Sequence, residues 1–187
     1  RETRFYATVC IAAIRPRSAV YALVERLFDS DYGVRGCAIE ALLGYPARDL
    51  DLAMVRCRHA LHSEDLGRVE AAATAIAELG DAHAMPDLVD VVGRDSKRAD
   101  HARRALVALT RHDHGTSERR WRKWWDEHRE HHRIEWLIAA LGGRDVTLRA
   151  AAHDDLRRIT GETFGAGDDP LRRDRGELRE RWLQWWN

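Results

Sequence analysis

The chain has 187 residues, with 31 lysines and arginines against 31 aspartates and glutamates, so it is formally neutral when its histidines are neutral. That length supports one domain with a substantial core or about five helix pairs of a repeat array, and the charge balance excludes a global pull toward nucleic acid or an anionic membrane. No apolar run approaches the roughly 18 residues that cross a bilayer, and three cysteines without a CxxC spacing, Cys10, Cys37 and Cys57, carry no zinc or redox signature.

The charge is mildly uneven. Residues 1–96 hold 11 basic and 15 acidic side chains and residues 97–187 hold 20 and 16, a net −4 followed by a net +4. Only Lys97 and Lys123 are lysines; beside so much alanine, the arginine bias reads as composition rather than selection for phosphate contacts. The cysteines lie in apolar helical stretches and are expected to pack as small hydrophobes in a reducing, cytoplasmic compartment. A chain beginning at Arg1 reads as processed or as a piece of a longer protein.

Apolar residues recur at helical spacing almost throughout, with no sustained strand-like alternation. The stretch ATVCIAAI at 7–14 is closed by Arg15 and Pro16, which fit a helix end better than a signal segment. Val20, Leu23, Val24, Leu27 and Phe28 form the next stripe, then Val34, Cys37, Ala38, Ala41 and Leu42, ending at Gly44 and Pro46. Leu50, Ala53, Met54, Cys57 and Leu61 follow. Val69, Ala72, Ala73, Ile76 and Leu79 come next, closed by Gly80, the residue most tolerant of a left-handed helix end. Asp81 is placed to cap the following helix, with Pro86 in its first turn and Met85, Leu88, Val89 and Val92 as its stripe. Ala99, Ala102, Leu106 and Leu109 mark another helix, and Ile134, Leu137, Ile138 and Leu141 a later one stopped by Gly142–Gly143. Asp145 caps the next, with Leu148, Ala152, Leu156 and Ile159 facing inward. Roughly ten helices of about 9–16 residues are predicted.

Part of this pattern occurs twice. Leu106, Leu109, Thr110 and Gly115 fall on Leu156, Ile159, Thr160 and Gly165 at an offset of 50. After an 11-residue insertion, Trp121, Trp124 and Trp125 fall on Trp182, Trp185 and Trp186. Val69, Ala72, Ile76 and Leu79 also map onto Ala99, Ala102, Leu106 and Leu109 at an offset of 30. A repeated unit that has too little core alone must bury its face on its neighbours, which is the physics of a modular helical array.

The segment GRVEAAATAIAELGDAHAMPDLVDVV (67–92) resembles a bacterial HEAT repeat of the short type: valine and alanines, a leucine-glycine-aspartate turn, then an early proline and a second helix. Residues 33–61 match more loosely, with GYP at 44–46 where that turn would stand, and residues 97–160 fit with an insertion. The resemblance implies an all-α, right-handed solenoid of about five antiparallel helix pairs in one domain, 1–187. The pairs would lie near 4–28, 31–62, 65–93, 97–141 and 145–186. It also implies an inner surface from residues 49–62, 84–93, 134–141 and 174–186. HEAT arrays serve as scaffolds, adaptors, inhibitors, nucleic-acid binders and bilin lyase subunits, so the resemblance speaks to fold more than to function.

The tryptophans are spaced i, i+3, i+4 in both copies, so Trp121, Trp124 and Trp125 share one helix face, as do Trp182, Trp185 and Trp186. With Arg119, Arg120, Arg122, Arg179 and Arg181 interleaved, such a face could stack bases, sugars or a partner's side chains. Strict duplication favours a structural role, rings packed on the preceding helix, each removing about 150–250 Å² from water; the second copy would then seal the array's end. Thr160-Gly161 and Phe164-Gly165 predict a tight turn with the phenylalanine tucked in. The polar stretch GAGDDPLRRDRG at 165–176 reads as a solvated linker.

His112, His114, His128, His131 and His132 lie close in sequence. A His128–His131 or His128–His132 pair could bind zinc with His112 or Glu127, but there is no HExxH and no fixed third ligand, so a solvated surface is expected. No GxGxxG, GxxxxGK[ST] or GxSxG occurs. The adjacent pairs Asp154–Asp155 and Asp168–Asp169 do not present two facing carboxylates.

The expectation is therefore a non-enzymatic scaffold or adaptor without cofactor or metal, a subunit or terminal module of a larger assembly, binding a protein partner. One rival is nucleic-acid binding in the manner of the HEAT-like alkylpurine DNA glycosylases, which requires arginines gathered on one face; here they are spread along many helices. A second rival is a bilin lyase-like HEAT subunit.

Overall fold

A computed structural model describes residues 2–164 and 175–187, and every regular element in them is helical. The chain is all-α. The described helices are α1 (Glu2–Ile14), α2 (Val20–Arg26), α3 (Tyr32–Leu43), α4 (Asp51–Ala60), α5 (Leu66–Leu79), α6 (Met85–Val92), α7 (Ser96–Thr110), α8 (Glu118–His128), α9 (Arg133–Ala140), α10 (Val146–Thr160) and α11 (Arg175–Trp186), with short 3₁₀ turns before α2, α4 and α6.

Helix starts follow local chemistry. The Asp31, Asp65 and Asp145 carboxylates accept backbone N–H groups in the first turns of α3, α5 and α10. Each such cap contributes about 1 kcal/mol by satisfying donors that have no intrahelical partner. His132 caps α9 through its ring nitrogen while Glu135 reaches back to the His132 N–H. Asp81 accepts from the His83 N–H, so it caps the 3₁₀ turn ahead of α6 rather than α6 itself. Gly80 ends α5 at φ 76°, the left-handed conformation its lack of a Cβ allows.

The chain divides into two compact units, Arg1–Ala105 with Thr116–Glu118, and Leu106–Gly115 with Arg119–Asn187. In the first, α1 packs on α3, α3 on α2 and α5, and α4 on α5. Its core takes Leu23, Leu27, Val34, Leu42, Leu61, Ile76, Met85 and Leu88, with alanines 38, 53, 72 and 75 buried between helices. Small residues at those points let helix axes come close. Arg4 of α1 and Arg26 of α2 both donate to the buried Asp29 carboxylate, at 2.9 and 3.1 Å, which ties α1 to the turn ahead of α3.

In the second unit, α9 packs on α10 and α11. Ile134, Leu137, Ile138, Leu141, Ala152, Leu156, Leu178 and Trp182 form its core, with Phe164, Leu183 and Trp186 packed against them. Ile159, expected to face inward, is exposed, because the inward face of α10 ends at Leu156 before the Thr160–Gly161 turn. Arg175 and Gly176, read from the sequence as linker, belong to α11; the rest of that stretch, residues 165–174, lies outside the described residues.

Candidate functional site

The tryptophans of the first copy are packed inward. Trp121 is fully buried and its indole N–H donates to the Gly115 carbonyl at 2.8 Å, closing the loop between α7 and α8. Trp124, also buried, lies edge-on to Trp121 at 6.2 Å and edge-on to Trp136 of α9 at 5.4 Å, and stacks flat on His128 at 4.5 Å. Trp136 donates its indole N–H to the His128 carbonyl at 2.9 Å. Trp125 is half-buried, edge-on to Trp136 at 6.0 Å.

The second copy is looser. Trp182 is fully buried, edge-on to Phe164 at 4.9 Å and to Trp185 at 5.7 Å, so Phe164 is tucked against the ring. Trp185, the counterpart of Trp124, is 39 % exposed, and Trp186 is half-buried against His132 at 5.2 Å. Both copies share one loop device. The Thr110 and Thr160 hydroxyls donate back to the carbonyls of Leu106 and Leu156 and accept the N–H of His112 and Glu162.

His131 and His132 are exposed, as a solvated surface requires, but His112, His114 and His128 are half-buried. His112 is half-buried, its Nδ1 against the Thr110 carbonyl at 2.9 Å and its ring 5.6 Å from Trp124. His114 lies edge-on to Trp121 at 4.8 Å. Burial holds the pKa of both below the ordinary imidazole value, and neighbouring positive charge adds to it: His114 and His128 on His112, Arg120 and His128 on His114. His128 and His131 meet edge-on at 5.8 Å, while His132 is taken up as the α9 cap. Among the described residues no three His, Cys, Asp or Glu side chains are grouped to hold a metal ion.

An exposed apolar face lies instead on α1. Tyr6, Val9, Cys10, Ala13 and Ile14 all face solvent, at the i, i+3, i+4, i+7, i+8 spacing of a buried stripe. Tyr6 is 64 % and Ile14 77 % exposed. Cys10, expected in a core, is therefore on the surface: α1 buries its opposite side, with Thr8, and leaves this one uncovered. Phe5, Tyr6, Tyr32 and Gly33 line a groove of about 370 Å³ beside the stripe, with Glu2 and Asp31 at its polar edge. The sequence marked residues 7–14 as an apolar stretch; it could not reveal which side of the helix the first unit leaves uncovered.

No described helix is long and apolar enough to cross a membrane. Compared with models of known protein families and with curated proteins, the chain matches none.

Proposed function

We propose that this protein is a non-enzymatic binding module of HEAT-like helical repeats, a scaffold or adaptor that receives an amphipathic helix of a protein partner along α1. The observation that supports this reading is the α1 stripe: five apolar or small side chains at helix-packing spacing, all in water. A contiguous apolar helix face with an aromatic groove at its side is costly to leave hydrated and is the usual mark of a protein contact. A second helix laid along it would bury Tyr6, Val9 and Ile14 by the same side-chain interdigitation that holds α1 on α3.

Cys10 gives a native handle in the middle of the stripe. A benzophenone maleimide placed there in a Cys37→Ala chain, exposed to native lysate and irradiated, should cross-link to a helical segment of a partner. The product should vanish when Val9→Asp and Ile14→Asp interrupt the stripe, and should not form from a label on Glu78→Cys in a Cys10→Ser background. A product indifferent to the two aspartates would overturn the reading. So would a cross-link solely to a second copy of the chain.

A further inference from the structure

We infer that Arg111, Arg133 and Arg158, gathered around Asp155 in the second unit, form a binding site for a phosphate monoester dianion. Asp155 of α10 is buried; its Oδ2 accepts from Arg111 Nε at 2.8 Å and forms an ion pair with Arg111 Nη2, also 2.8 Å away. Its Oδ1 accepts from Arg158 Nη2 at 2.9 Å, and Arg133 Nη2 stands 3.5 Å from Oδ2. Arg133 also donates its Nε–H to the Leu109 carbonyl at 3.1 Å, which fixes the guanidinium at the end of α7.

Three guanidiniums face one carboxylate, so the cluster carries a formal charge of +2. One arginine in bidentate contact already satisfies an aspartate. The second and third add mutual repulsion and desolvation, most of all at Arg133, whose side chain is 13 % exposed and whose burial works against its charge. The carbonyl ends of α7 and α10 offset a fraction of this, because a helix C-terminus carries a partial negative charge. The remainder is a positive site still partly open to water, with the Arg158 side chain 57 % exposed.

Backbone geometry points the same way. Arg111 sits at φ 57°, a left-handed conformation in which an L side chain is strained, while Gly161 holds the equivalent position of the second copy at φ 76°. Glycine would fill position 111 without strain. The strain is retained together with the guanidinium, and strain of this kind collects where a side chain is needed for binding.

The ligand class follows from charge and donors. Asp155 orients the arginines by occupying one edge of each. Nη1 of Arg111, Arg133 and Arg158 makes no hydrogen bond to any described residue. A phosphate monoester brings three acceptor oxygens and about −1.5 to −2 charges at neutral pH, which matches both the spare donors and the +2. A nucleic-acid phosphodiester, with one charge, would leave half the site uncompensated.

The test is calorimetric titration of the whole chain with inorganic phosphate and with a phosphoserine peptide, at fixed ionic strength and with chloride and unphosphorylated peptide as controls. Saturable binding of phosphate and of the phosphopeptide is expected, the phosphopeptide tightening as pH rises through the second pKa of its phosphoserine, about 6. Arg111→Gly, which adopts the loop conformation of the second copy, should keep the helical circular dichroism and weaken binding about tenfold or more, as should Arg158→Gln. Tighter binding of the phosphopeptide would place the monoester on a protein side chain; equal binding would leave free phosphate as its source. Absence of saturable binding, affinity unchanged in both variants, or displacement by duplex DNA at equal phosphate concentration would each overturn the assignment.

Discussion

Arg111 and Gly161 hold the same left-handed backbone position in two copies of one loop, each directly after a threonine whose hydroxyl turns back onto its own helix. The threonine ends the helix by accepting the N–H two residues on, and the next residue must then turn with positive φ. Only one copy meets that demand with the residue suited to it. A Cβ at Gly161 would meet nothing within 4 Å, so substitution there costs backbone strain and not collision. Gly161→Ala should therefore lower stability by about 1–2 kcal/mol in urea unfolding. An unchanged midpoint would mean that the turn does not depend on its left-handed residue.

Trp124 and Trp185 are equivalent in sequence and unequal in structure. Trp124 is buried between His128 and Trp136, whereas Trp185 has no flat stacking partner among the described residues and is 39 % exposed. Trp124→Ala should cost about 3–5 kcal/mol, as loss of a buried aromatic ring does. Trp185→Ala should fall within about 1 kcal/mol of the parent, in the range of surface substitutions. Equal losses in chemical denaturation would show that the two rings are buried alike.

These two pairs mark how far the sequence could be read. Helix positions were legible because most carry a periodic stripe, and a few announce an end with Gly80 or a start with Asp145. The shared fate of Trp121 and Trp182, both fully buried, was legible from duplication. What neighbours do to a residue was not. Cys10 lies on a stripe like any core stripe, and only the placement of α1 leaves it in water. Arg111 and Asp155 are 44 residues apart, and neither periodicity nor spacing encodes their meeting. Three arginines far apart in sequence, Arg111, Arg133 and Arg158, therefore converge at Asp155.

Protonation of the histidines should loosen the second unit. The folded pKa of His112 and of His114 is depressed chiefly by burial, so the unfolded chain, with imidazoles near pH 6.5, takes up protons first. Their contribution to stability is thus complete above about pH 6.5 and is lost as pH falls from there through the folded values. Urea midpoints followed by tryptophan fluorescence should drop between pH 7.5 and 5.5, and His112→Gln should flatten that slope. Asp155 acts in a lower window. Burial raises its carboxyl, but hydrogen bonds from Arg111 and Arg158 and the charges of Arg111 and Arg133 outweigh it, leaving the pKa lowered. Its contribution is present above about pH 3.9 and is lost as pH falls through the folded value. A pH slope between 7.5 and 5.5 that His112→Gln leaves intact would assign the loss to other groups.

The three cysteines should separate cleanly by reactivity. Cys10 is exposed on α1, Cys37 is half-buried on α3 and Cys57 is buried on α4. Burial, reinforced by the nearby Asp81 carboxylate, pushes the Cys57 thiol up to about 12, so almost no thiolate, the nucleophilic form, exists there at neutral pH. With a disulfide reagent at pH 8 the native chain should release one equivalent quickly from Cys10, a second more slowly from Cys37, and the third when urea unfolds the chain. Cys10→Ser should abolish the fast phase alone. If the fast phase survived that substitution, α1 would not present its stripe to solvent, and the surface proposed to receive a partner helix would already be covered.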